Sequence, residues 1–355
     1  MAGKEIVYPR TIASCHPELD EGSGFVRLTT TKLLRRFDWL GRIEAREKIA
    51  IRFLITFCAL LVFIRVSAQE FLPIWEKGKV PNQKYAIPDS IADERAWKVG
   101  VPGVYAFPAN KAENTGTCIL ICPGGGYQRA SYVYNGFNFA RWFNTLGINV
   151  FVLVYRLPHQ ANLKEPAVAP LQDAQRAIKY IRANALAWNI DTGRLGVMGI
   201  SAGGHLAAML STNSTDVSKV NDGWDTISYH PDFSILLSPV ITMGKWAHRG
   251  SRANLLGSDT SAARIEKYSM EKQVTAATPP SFLVHAVNDK TVNVHNSLLY
   301  YNALVDNNVN ASLHTFPQGG HGIRVTENPG STELWLPLLQ SWLKEMNFLK
   351  PIPFK

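Results

Sequence analysis

Short, nearly uninterrupted apolar runs recur along this chain: Cys118–Cys122, Asn149–Tyr155, Leu195–Met198, Phe233–Leu237 and Ser281–Ala286, with a more mixed strand-like stretch at Ala311–Phe316. Runs this brief and this apolar read as strands buried on both faces of a parallel sheet. Between them lie stretches with apolar residues at helical spacing: Phe137–Leu146, closed by Gly147, then Leu171–Trp188, Val294–Val305 and Trp335–Met346. The clearest puts Leu171, Ala174, Ile178, Ile181, Ala185 and Trp188 on one face. Asp173, near its start, reads as structural, either a charge at a helix terminus or a contact to the preceding loop. Strand and helix alternating at this spacing predict an α/β domain with a doubly wound, mostly parallel sheet and helices on both faces. Two regions break the pattern. Residues 69–96, with Pro73, Pro81 and Pro88, read as an irregular lead-in to a strand over Trp97–Phe107, itself interrupted at Pro102-Gly103. Residues 240–280 read as irregular and polar, a small cap rather than a domain. Trp246 in this cap would either stack on a sugar or simply pack.

The strand at Leu195 runs into Gly199-Ile200-Ser201-Ala202-Gly203-Gly204-His205, and a small-residue helical stretch, Leu206–Leu210, follows. Strand, G-x-S-x-G and helix together form a nucleophile elbow. A turn this sharp leaves no room for a side chain at either flanking glycine. It lifts the serine above the C-terminal edge of the sheet and aims the N–H of Ala202 at developing negative charge. Upstream, the strand Cys118–Cys122 ends in Pro123-Gly124-Gly125-Gly126-Tyr127. Glycines there let the backbone turn its N–H groups toward a ligand, so Gly124 and Gly125 complete an oxyanion hole with Ala202. A dinucleotide site is excluded, because G-x-G-x-x-G and its downstream acidic residue are absent.

An elbow serine needs a base and an orienting acid later in the chain, in the order Ser, Asp/Glu, His. Asp289 follows the strand Ser281–Ala286. His321, in Gln318-Gly319-Gly320-His321-Gly322, follows Ala311–Phe316. Both are C-terminal strand ends, where doubly wound sheets place their sites. Ser201, Asp289 and His321 are therefore the expected nucleophile, orienting acid and base. His285 and His314 lie inside strands and read as core or surface residues, and His205 as a residue supporting the elbow.

Composition adds limits. The chain has 355 residues, 46% hydrophobic and 10% aromatic, enough for one large core. Its net charge of +9 is scattered, with no basic block, so no nucleic-acid partner is expected. Cys118 and Cys122 lie four apart on one strand, which separates their Cα atoms by about 13 Å. A disulfide needs under about 7 Å, so both are expected as buried free thiols. No zinc-ligand spacing occurs, and no metal or organic cofactor is called for. Near the start, a basic flank, Lys48–Arg52, precedes an uncharged apolar run, Phe53–Ile64, and Val66-Ser67-Ala68. This describes a secretory signal peptide over residues 49–68. The run is shorter than the roughly 20 residues that span a bilayer, so no stable membrane span is expected. Residues 1–48 are then an N-terminal extension. The depth of the signal in the chain carries the hypothesis that translation starts downstream of Met1, at a non-standard codon such as that of Ile49 or Ile51. Residues 69–355 form the catalytic domain.

Pro123–Tyr127, Tyr155-Arg156-Leu157, Ala169-Pro170-Leu171-Gln172-Asp173-Ala174 and Gly199–Ala207 together resemble secreted bacterial α/β-hydrolases of the acetylxylan-esterase type, over about residues 72–345. The resemblance implies the α/β-hydrolase fold and a serine esterase that removes acetyl groups from plant polysaccharide, with an acylated poly- or oligosaccharide as substrate. Ala286 and Asn293 depart from the family pattern, where Gly and Pro are common. Competing readings are an esterase for feruloyl or short-chain esters, a serine peptidase of the prolyl-oligopeptidase type, and a non-catalytic binding protein on the same scaffold. Fewer than fifty residues separate Ala68 from the first core strand, which argues against the propeller such peptidases carry.

Overall fold

The computed structural model describes residues 69–349. The expected extension and signal peptide, over residues 1–68, lie outside the described residues. An eight-stranded sheet runs in the order β1-β4-β6-β5-β7-β8-β9-β10. Its strands are β1 (Phe71–Pro73), β4 (Gly103–Phe107), β5 (Cys118–Cys122), β6 (Asn149–Val154), β7 (Leu195–Ile200), β8 (Ser234–Leu237), β9 (Ser281–Ala286) and β10 (Ala311–Phe316). From β6 to β10 every pairing is parallel, while β1 and β4 are antiparallel additions at one edge. The five central strands β5 to β9 are buried throughout, which is why they appear as unbroken apolar runs.

The helices are α1 (Asn138–Thr145), α2 (Ala169–Ala183), α3 (Ala202–Thr212), α4 (Arg249–Leu256), α5 (Ala262–Lys267), α6 (His295–Asp306) and α7 (Trp335–Glu345). Consecutive residues of β6 show that they cover both faces. Val152 points at Gly136, just before α1, whereas Phe151 packs on Trp188 in the 3-10 turn after α2. Helices α1 and α7 meet through Phe139 and Trp335 on one face, and α2 packs beside α3 on the other. The chain leaves β5 for β6 on one side and returns to β7 on the other. The strand order therefore reverses at β5, which opens a crevice at the C-terminal strand ends.

Two sequence expectations are corrected. The stretch Trp97–Phe107 is not one interrupted strand: β3 (Arg95–Lys98) pairs with β2 (Ser90–Ala92) in a separate two-stranded sheet, and only β4 joins the main one. The lead-in over 69–96 is accordingly not irregular throughout, since it supplies β1 and β2. Residues 240–280 are also not irregular throughout, since they hold α4 and α5. Helix α5 buries no residue and α4 only Ser251, Leu255 and Leu256, so neither leaves a long apolar face in the sequence.

Asp173 makes the contact to the preceding loop. Its carboxylate accepts from the backbone N–H of Arg156, from Arg156 Nε and Nη2 (2.8 Å for the last), and from Trp75 Nε1 at 2.8 Å. Both members of the ion pair are fully buried. Arg176 continues the clamp, lying 4.8 Å from the Trp75 ring and 4.1 Å from that of Trp224 while pairing with Asp222. The lead-in is thus tied to α2. Substituting Asp173→Asn keeps the shape but strands the guanidinium without a countercharge. It should lower stability by about 3–5 kcal/mol in urea unfolding, and a loss below about 1 kcal/mol would show that Arg156 is stabilised elsewhere.

Candidate active site

The chemistry-bearing residues lie where the crevice opens. Ser201 sits between β7 and α3 with φ 57° and ψ −122°, a conformation costing an ordinary residue on the order of 1–3 kcal/mol. Its backbone is held there from several sides. The N–H donates to Leu237 O at 3.1 Å, and the carbonyl accepts from Val240, Gly204 and His205. The flanking glycines permit the turn: a Cβ on Gly203 would overlap the Cys122 carbonyl, and one on Gly199 the Gly203 carbonyl.

The structure brings together the three residues singled out in the sequence. His321 Nε2 lies 2.9 Å from Ser201 Oγ, and His321 Nδ1 lies 2.7 Å from Asp289 Oδ2. The other carboxylate oxygen of Asp289 accepts from the N–H groups of Thr291 and Val292, at 2.8 and 2.9 Å. The Asp289 side chain is fully buried. Burial alone would raise its pKa, but hydrogen bonds from His285, His321 and the Val292 backbone outweigh it and hold the carboxyl well below the usual carboxylate range. The His321 loop is fixed in turn by Gly320 N, which donates to Asn288 Oδ1 at 2.8 Å.

Gly124 abuts the elbow: a Cβ there would lie 3.1 Å from Ser201 Cβ and 2.9 Å from the Ile200 carbonyl. Gly125 has φ +139° and no room for a side chain, because the Arg129 carbonyl stands in its place. The N–H groups of Gly124, Gly125 and Ala202 bond to no protein acceptor among the described residues, so these three donors are left unpaired.

Two further histidines take part in ways the sequence left open. His285 is fully buried in β9. Its Nε2–H donates to Val292 O at 3.0 Å, its Nδ1 accepts from Ser297 at 2.7 Å, and Nε2 stands 3.4 Å from Asp289 Oδ2. It is a core residue, yet it holds the turn that presents the carboxylate. His205 is buried beneath the glycine loop, where its Nε2–H donates to Tyr268 O and its Nδ1 accepts from Tyr127 O–H, both at 2.8 Å. Burial pushes its pKa down to about 4, against a smaller opposing effect of the Tyr268 bond. Sequence alone gave no sign of these partners, which come from distant elements. Trp246 packs: its ring lies 4.3 Å from that of His295 and nearly parallel to it. A cleft of about 370 Å³ runs beside the crevice, between Tyr134, Asn138 and Arg141 on one wall and the segment 323–327 on the other. Among the described residues, no cluster of His, Cys, Asp and Glu could hold a metal ion, and no helix is long and apolar enough to cross a membrane.

A family model, BD-FAE, matches residues 104–304, which include the elbow and Asp289. The chain belongs to the BD-FAE family. This BD-FAE chain is 33% identical over 245 residues to an acetylxylan esterase of Xylanibacter ruminicola, and 36% identical over 229 residues to endo-1,4-beta-xylanase B of Butyrivibrio fibrisolvens. These matches cover 67% and 64% of the chain but only 46% and 35% of the relatives' own lengths. Among solved structures, the acetyl ester-xyloside bifunctional hydrolase of Caldicellulosiruptor lactoaceticus is 33% identical, with a TM-score of 0.68 over 81% of this chain and all of that one. The fold is that of an α/β hydrolase.

The His205 environment sets a pH dependence. The folded state keeps this ring neutral down to about pH 4, whereas the unfolded chain protonates near pH 6.5. The unfolded state therefore binds more protons across that window. Stability is fully present above about pH 6.5 and falls toward pH 4, by as much as about 3 kcal/mol from this group. His205→Gln can still accept from Tyr127 and donate to Tyr268, and it should flatten the pH dependence of unfolding between those limits. Identical slopes for variant and wild type would rule this origin out.

Proposed function

We propose that this BD-FAE chain is a serine esterase that removes O-acetyl groups from xylan-type polysaccharide through an acyl-enzyme. The observation that carries the reading is the continuous relay from Ser201 Oγ through His321 to Asp289, at 2.9 and 2.7 Å, beside three unpaired backbone N–H groups. Asp289 is ionised and accepts at Nδ1, so Nδ1 bears the imidazole proton and Nε2 is free to take one from Ser201.

Ser201 Oγ attacks the acetyl carbonyl as His321 Nε2 takes its proton. Negative charge gathers on the carbonyl oxygen, which the N–H groups of Gly124, Gly125 and Ala202 stabilise. The carbon–oxygen bond to the sugar then breaks, and His321 returns the proton to the departing alkoxide. Water, deprotonated by His321, attacks the acetyl-serine; acetate leaves and the serine recovers its proton. Asp289 stabilises the imidazolium in both halves.

The names of the relatives, acetylxylan esterase and acetyl ester-xyloside hydrolase, support acetylated xylan as the substrate. The cleft between Tyr134–Arg141 and residues 323–327 suits an extended chain, since its second wall begins two residues after His321. We also infer export, on the basic flank, the apolar run 53–64 and the small residues 66–68.

The full chain should release acetate from acetylated xylan and cleave p-nitrophenyl acetate, and Ser201→Ala should lower both at least about a thousandfold. Activity retained in the variant would dismiss Ser201 as nucleophile. Cleavage of the aryl ester alone would keep the serine esterase and remove xylan, turning the search to feruloyl and other short acyl groups.

A further inference from the structure

Opposite the elbow, the loop after β8 brings His248 to the start of α4, facing the glycine loop. Its Nδ1 accepts from the backbone N–H of Ser251 at 3.2 Å and lies 2.8 Å from Ser251 Oγ. A backbone N–H can only donate, so Nδ1 carries no proton and the neutral ring holds its hydrogen on Nε2. That Nε2–H has no partner among the described residues, although the ring is half-buried. Burial pushes the His248 pKa below the ordinary histidine value, against the smaller opposing pull of the Asp289 carboxylate, and so favours the neutral ring.

The placement is built. Asn254, one turn further along α4, donates from Nδ2 to the Gly126 carbonyl at 2.8 Å, locking the helix to the loop that carries Gly124 and Gly125. The His248 ring lies over Gly126, with Cε1 3.9 Å from where a Cβ of that residue would stand, and a Cβ on Gly250 would stand 3.3 Å from the same atom. Gly124, two residues back, touches Ser201. The imidazole edge therefore borders the space above the nucleophile.

An acetyl ester has few acceptors to offer it. The carbonyl oxygen is met by the Gly124, Gly125 and Ala202 N–H groups, the bridging oxygen receives its proton from His321, and the methyl group accepts nothing. The remaining acceptors belong to the alcohol half of the substrate. Resting on the esterase reading above, we propose that His248 is a substrate-binding residue whose Nε2–H donates to a hydroxyl or ring oxygen of the acetylated sugar.

The test compares the full chain with His248→Asn and His248→Ala on an acetylated xylo-oligosaccharide and on p-nitrophenyl acetate, whose alcohol half has no sugar oxygen. Asn is a strong N-cap residue, so His248→Asn preserves the start of α4 but spends its short side chain there and leaves no donor at the Nε2 position. The ratio of kcat/KM for the sugar acetate to that for the aryl acetate should fall about five- to tenfold in both variants, the worth of one hydrogen bond. An unchanged ratio in His248→Asn, or equal losses on both substrates, overturns the proposal and leaves His248 as a cap alone. A wild type that cleaves no sugar acetate removes the substrate reading itself, and the inference with it; that result is read before any variant is compared.

Discussion

The turn at Ser201 is the constraint on which the site depends. A non-glycine residue at φ 57° persists only if its surroundings over-determine it, and here four backbone hydrogen bonds do so. To supply them, β7, β8 and α3 must approach so closely that Gly199 and Gly203 stand where no side chain fits. The same approach sets the Ala202 N–H beside the serine and presses Gly124 against it. One backbone geometry therefore fixes the Ser201 side chain and the neighbouring N–H groups together.

Around this turn, buried histidines serve as rigid struts. His285 bridges Ser297 and the Val292 carbonyl, and His205 bridges Tyr127 and the Tyr268 carbonyl. Each donates from one nitrogen and accepts at the other, which fixes the tautomer and the ring plane at once. At His205 a charged imidazolium would lose its acceptor and face a desolvation cost. His321 differs because its side chain remains a quarter exposed and one of its two partners is the Ser201 hydroxyl.

Much of this was legible in the chain. Central strands announce themselves as unbroken apolar runs because both of their faces are covered, and the elbow, the glycine loop and Asp289 each follow such a run; His321 follows the mixed, only partly buried edge strand β10 and is marked by its glycine-rich loop instead. The edge was harder to read. The separate pairing of β2 with β3 and the antiparallel addition of β1 to β4 depend on long-range register that local pattern does not encode. Helices α4 and α5 were hidden by their polarity, since a helix that buries three residues or none leaves little period to detect. Trp246 packs on His295, a contact decided by the fold rather than by anything near it in sequence.

The two thiols of β5 have a consequence of their own. Cys118 and Cys122 are free and fully buried in the middle of the sheet, and burial raises both above the ordinary thiol range. The thiolate is the reactive species, so the native sheet shields them from oxidants and alkylating reagents without any covalent cross-link. They become reactive when β5 parts from β6 and β7, an opening that exposes the middle of the core. Their modification therefore acts as a clock on that opening, and once struck it is a ratchet: an adduct inside a strand with no free volume prevents the sheet from closing again.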